Sequence, residues 1–120
     1  MPEIDKAEVY RKAAEIIIRD GKHEAELVRN DRGIPEDEAL KDPSRPVCAL
    51  GACARAEYEL YGTLPKSAYE RYGFKVPKPS PHRYSGIYWQ PVQYFNDDDS
   101  TSAEDVALAL KREAGAWDGA

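Results

Sequence analysis

No apolar stretch in this chain approaches the run of about 20 residues that a membrane-spanning helix requires, which argues against a transmembrane protein. The first residues, MPEIDKAEVYRK, carry charges and no apolar centre, so they lack the form of a secretory signal. Cysteine is scarce, with Cys48 and Cys53 the only two. Residues five apart on a helix lie about 500° round the axis, on different faces. A disulfide between them is therefore not expected, and both read as buried thiols of a reducing cytoplasm. Two cysteines and two distant histidines, His23 and His82, make no zinc spacing. No metal and no other cofactor is expected. Repeats and low-complexity tracts are missing as well, which sets aside solenoid and collagen-like architectures.

What remains is a chain of 120 residues, 42% hydrophobic and 32% charged, a balance that suits one folded domain over 1–120 with a real core. The net charge of −5 is unevenly spread. Residues 60–95 hold one acid, Glu70, against Lys66, Arg71, Lys75, Lys78 and Arg83, while the segments on either side are acidic. An acidic chain is a poor non-specific ligand of nucleic acid, but a local basic stretch keeps that function open.

Hydrophobic spacing predicts three principal helices. Asp5 and Glu8 have the form of a capping box, followed by Val9, Ala13, Ile16 and Ile17 at helical intervals and closed by Gly21, which predicts a helix over 6–20. Residues 22–30 read as a short helical or extended piece, and 31–46 as loop with one helical turn near 35–40. A second helix is predicted over 47–61, ended by Gly62, with Gly51 in its middle. Glycine there costs about 1 kcal/mol relative to alanine, so close approach of another helix is the expected compensation. Pro65 and Gly73 bracket a short helix. Residues 74–86, with Pro77, Pro79 and Pro81, read as extended and irregular, and 87–95, interrupted by Pro91, as at best an edge strand. Thr101 and Glu104 suggest a second capping box, with Thr101 as N-cap of a helix to about residue 113. The three helices are expected to pack mutually around Ile16, Ile17, Leu50, Ala54, Val106 and Leu110. The expected fold is mainly α: a small three- to four-helix bundle with long proline-rich loops and one short β-hairpin or edge strand near 84–95.

Three segments, AAEIIIRDG, RPVCALGACARA and FNDDDSTSAEDVALALKREA, together carry a resemblance. The chain resembles a small uncharacterised family, a domain of unknown function, found in actinobacteria and their phages. Members typically show a first helix, a CALGAL-like helix and a WND…TxExV ending. Phe95 stands at the tryptophan position, Asn96 and Asp97 match the rest of that motif, and Lys22 stands where an aromatic often follows the helix-ending glycine. The resemblance implies a fold type and a source, and no activity.

Candidate chemistry centres on Cys48. It follows Pro46-Val47 and so falls in the first turn of its helix, where amide dipoles favour thiolate. His82 and Asn96 follow in the order of papain-like peptidases, and the segments around Cys48, Tyr69 and Tyr84 look loosely similar to small cell-wall cysteine peptidases. A cysteine hydrolase using Cys48, His82 and Asn96 is one reading; the plainer one makes Cys48 a small core residue. Asn96-Asp97-Asp98-Asp99 lacks the alternation and glycine of a calcium loop, and fits a turn that places negative charge at a helix start. Aromatic and basic residues interleave through 58–95. Tyr69, Arg71, Tyr72, Lys75, Lys78, Arg83, Tyr84 and Trp89 are the expected binding surface, in which tyrosine, tryptophan and arginine would anchor a protein partner. Stacking on nucleic acid is the weaker alternative. The leading expectation is a cytoplasmic, non-catalytic interaction or accessory protein of phage or prophage origin, monomeric or homodimeric, that binds a host or phage protein and no membrane.

Overall fold

The computed structural model describes residues 3–31, 33–79 and 86–118. Helix α1 runs over Lys6–Asp20. Asp5 Oδ1 accepts from the Glu8 N–H at 3.3 Å, the first half of the expected capping box. The second half is relayed through a phenol: Asp5 N–H donates to Tyr61 Oη, which in turn donates to Glu8. Gly21 ends the helix at φ +97°, a value that favours glycine.

Residues 21–29 form no regular element. They wrap around Pro46–Cys48, with isolated bridges from Lys22 and Val28 to Val47. Val47 N–H donates to Gly21 O, His23 N–H to Val47 O, and Cys48 N–H to Leu27 O at 3.1 Å. Because Val47 is engaged in these bridges, α3 begins at Ala49 and runs to Tyr61, two residues later than its composition suggests. Gly62 closes it in the left-handed conformation. Gly51 has a different reason from the expected one: a Cβ there would lie 1.8 Å from Leu27 O. It is the backbone of the wrapping segment, not a neighbouring helix, that requires glycine.

Helix α2, Glu36–Lys41, follows Pro35 as the expected single turn. Helix α4 spans Ala68–Tyr72, with Ser67 Oγ accepting from the Glu70 N–H. Strands β1, Lys75–Pro79, and β2, Ile87–Pro91, pair antiparallel with Pro77 opposite Trp89. The hairpin thus includes 75–79, which sequence alone marks as extended but irregular. Helix α5, Val92–Asp97, was not expected; it starts directly after Pro91, whose missing N–H costs nothing in a first turn.

The last helix, α6, covers Ala103–Asp118. Its capping box lies one residue beyond the expected one. Ser102 Oγ accepts from the Asp105 N–H, and Asp105 Oδ2 accepts from the Ser102 N–H. Thr101 is buried, and its own N–H donates to Asp98 O, so it closes the preceding turn and does not cap. The helix outlasts residue 113 because its end is tied to α1: Arg11 pairs with Asp118, and the Lys6 ammonium sits 4.6 Å over the Trp117 ring.

The principal helices do not pack as a mutual triangle. Helix α1 is central and contacts both α6 and α3, which barely meet each other. Ile16, Ile17, Leu50, Ala54, Val106 and Leu110 are all fully buried. The molecule is mainly helical with one small two-stranded sheet. Among the described residues, no helix is long and apolar enough to cross a membrane.

Candidate protein-binding groove

The start of α3 is where the FND motif acts. Asn96 is fully buried; its Oδ1 accepts from Ala49 N–H at 3.0 Å, and its Nδ2 donates to His23 O at 2.9 Å. Asp97 accepts from the N–H of Ala25, a non-glycine residue held at φ +72°. Lys22 Nζ donates to the carbonyls of Asn96, Asp98 and Thr101. One asparagine and one lysine therefore pin the wrapping segment, α3 and α5 together.

Cys48 and Asn96 do meet here, but as structural caps. Cys48 is the N-cap of α3, and its Sγ accepts from the Gly51 N–H at 3.3 Å. At Cys48 burial outweighs the neighbouring amides and pushes the thiol up to about 11, in the direction opposite to what the helix start alone favours. Cys53 is buried and pushed up likewise. His82, Arg83 and Tyr84 lie outside the described residues.

Two buried charges in α3 were not anticipated. Arg55 is fully buried. It donates to Asp20 at 2.9 Å and to the carbonyls of Ala39, Leu40 and Arg45, so it closes the end of α2. Glu57 is also fully buried and accepts from Thr63 at 2.8 Å, Arg71 at 2.9 Å and Tyr72 at 2.7 Å. The sequence signal was available: Arg55 and Glu57 are the only charges between Val47 and Tyr58, in a run of small residues that suits burial all round.

These contacts redraw the expected binding surface. Tyr72 is fully buried, because its phenol serves Glu57 and its ring packs edge-on against Tyr10. Burial holds both phenols protonated well beyond the usual tyrosine range. Arg71 is half-exposed but paired with Glu57. Lys78 pairs with Asp98 at 3.2 Å. The Ser100 hydroxyl and N–H, with Lys78, hold the Asp98 carboxyl down at about 2. Tyr69, Lys75 and Trp89 remain exposed.

The exposed apolar surface converges elsewhere. A groove of about 390 Å³ lies between the hairpin and α6, with Phe74, Pro77, Trp89, Phe95, Leu108 and Ala109 along it. Trp89 is 60% and Leu108 65% exposed. Lys75 and Arg112 stand on its rim together with Asp105 and Glu113. Lys75 and Trp89, on the hairpin wall of this groove, belong to the stretch that sequence singles out; the residues of its α6 wall do not. Leu108 falls one residue outside the buried stripe of Val106, Ala107 and Leu110, which was the available sign.

A family model described as a family of unknown function, DUF6197, matches residues 1–116, and the chain belongs to that family. No curated protein and no solved structure matches it.

Proposed function

We propose that this chain is a small non-catalytic interaction protein of phage or prophage origin in actinobacteria. It works in the cytoplasm by binding a protein partner in the groove between the β1–β2 hairpin and α6. The observation that carries this reading is the pair Trp89 and Leu108, two large apolar side chains left mostly in water along one groove. Exposed apolar surface gathered in one place and rimmed by polar groups suits protein recognition. The rim carries both signs of charge, so the occupant that fits is an apolar segment flanked by charges of both signs, not a polyanion. Of the basic residues that favoured nucleic acid, Arg71 and Lys78 are already paired with carboxylates. The actinobacterial and phage source is supported by the resemblance of the AAEIIIRDG, CALGA and FND segments.

The test is affinity capture from an actinobacterial lysate with three forms of the chain. Wild type and Cys48→Ser capture the same partner, and Leu108→Glu captures none while keeping its helical circular dichroism. Capture that persists in Leu108→Glu overturns the groove. A hydrolytic activity lost in Cys48→Ser overturns the non-catalytic reading.

A further inference from the structure

The register of the hairpin decides which backbone groups face outward. Val92 N–H donates to Phe74 O, the pair just beyond Lys75 and Pro91 in the same register. Hydrogen-bonded pairs alternate with non-hydrogen-bonded ones in an antiparallel ladder. Counting by twos, the bonded pairs are Val76 with Gln90 and Lys78 with Tyr88. The prolines agree, since Pro77, Pro79 and Pro91 all fall on the other parity, where no inward N–H is needed. The outward-facing residues are therefore Lys75, Pro77 and Pro79 on β1, and Ile87, Trp89 and Pro91 on β2.

The two outer edges differ in kind. The β1 edge offers no N–H at Pro77 or Pro79 and carries Lys75, the residues by which proteins close an edge. On β2 the edge presents the N–H and C=O of both Ile87 and Trp89. Among the described residues, neither takes part in a backbone hydrogen bond outside the hairpin. Their side chains are 66% and 60% exposed.

We propose that the β2 edge pairs with the β2 edge of a second copy of this chain, making a four-stranded antiparallel sheet around a two-fold axis at Tyr88. In that register Ile87 and Trp89 of one copy exchange four backbone hydrogen bonds with Trp89 and Ile87 of the other. Each tryptophan lies beside an isoleucine, a favourable cross-strand pair. Tyr88 faces its own copy across the axis. The strand Ile87–Pro91 has no charge to repel its copy. Lys75 and Lys78 sit on β1, so the two sets stand about 14 Å apart across three strand spacings, beyond the Debye length of about 8 Å. The proline-bearing β1 edges then become the outer edges, and assembly stops at two copies.

Area sets the strength of this association. With about 150–250 Å² on each aromatic side chain, the exposed parts of Ile87, Tyr88 and Trp89 sum to roughly 300 Å² per copy. Doubled, that is roughly 600 Å², below the about 1,200 Å² at which stable specific interfaces begin, so the dimer is weak, transient and dependent on concentration. This inference shares Trp89 with the groove but not Leu108, which has no part in the paired edge.

The experiment is sedimentation of the full chain from micromolar to millimolar concentration, alongside Tyr88→Lys and Tyr88→Cys. Wild type shifts from monomer to dimer. Tyr88→Lys, which sets two like charges opposite each other, weakens that association at least about tenfold. Tyr88→Cys crosslinks to a covalent dimer on mild oxidation, since a non-hydrogen-bonded pair with Cα atoms about 4.5 Å apart suits a disulfide, and Cys48 and Cys53 are buried. Wild type that stays monomeric throughout the range overturns the proposal, as does a dimer unaffected by Tyr88→Lys. A Tyr88→Cys chain that does not crosslink overturns it independently, even if the lysine variant fails to fold. Leu108→Glu, which tests the groove, leaves the dimer intact.

Discussion

Arg55 and Trp89 mark two regions with opposite handling of costly side chains. Around α3, a guanidinium and a carboxylate are carried fully inside the molecule, and every polar atom named there finds a partner. At the hairpin and α6, indole and leucine side chains that would stabilise a core are left in water. Burying a charge is costly unless it is paired and hydrogen-bonded. Exposing a large apolar side chain forgoes about 1.5–3 kcal/mol. The first region has the connectivity of a scaffold, because its network joins α1, α2, α3 and α4. The second contributes little to that network, which leaves its surface free to serve a partner.

The sharpest way to break the scaffold side is Gly51→Ala. The added methyl would stand 1.8 Å from the Leu27 carbonyl oxygen, an overlap that only a backbone shift relieves. That shift also pulls Leu27 O away from the Cys48 N–H it accepts. Overpacking typically costs about 1–3 kcal/mol. Here the clash is with backbone and a hydrogen bond is lost as well, so the expected loss is about 4 kcal/mol or more. Urea denaturation measures it, and a variant as stable as wild type would show that the wrapping segment does not pack on α3 as described.

Arg71 and Lys75 sharpen the comparison, since they are close in sequence yet belong to different regions. Arg71→Glu removes the cation facing buried Glu57 and puts a second carboxylate in its place, which should cost about 3–5 kcal/mol. Lys75→Glu alters an exposed residue on the groove rim and should change stability by no more than about 0.5 kcal/mol. Thermal denaturation of the two variants side by side checks this. Equal effects would mean that the Glu57 network carries no weight.

The scaffold was legible where its causes are local. Asp5, Gly21 and Gly62 mark helix ends by their own conformational chemistry, and the apolar spacing of Val9 to Ile17 needs no tertiary information. Ser102 displaced Thr101 as a cap because adjacent hydroxyls offer the same local chemistry, and the burial of Thr101 decides between them. The reason for Gly51 was hidden because Leu27 is distant in sequence, and nothing local reports a backbone pressed against a helix. Composition places Tyr72 and Arg71 on the surface; the long-range position of Glu57 buries Tyr72 and pairs Arg71, which stays half-exposed. Within the groove, Trp89 stood out as an aromatic among prolines. Its counterpart Leu108 falls outside the apolar stripe of Val106, Ala107 and Leu110, which marks it as outward, but nothing local reports that the hairpin stands opposite it.

The smallest expected effect falls on that leucine. Leu108 is 65% exposed and lies along the groove, while Val106 and Leu110 on either side of it are fully buried. A leucine truncated in a core costs about 2–5 kcal/mol. One already in water has little burial to lose, and helix propensity alone separates leucine from serine by a few tenths of a kcal/mol. Leu108→Ser should therefore shift stability by no more than about 0.5 kcal/mol, whereas Leu110→Ser, two residues along the same helix, should cost several times as much because it also buries an unpartnered hydroxyl. Thermal melts of the pair read the contrast directly. If Leu108→Ser destabilises as much as Leu110→Ser, the groove is closed in solution by the chain itself, and the apolar face between the hairpin and α6 belongs to the core.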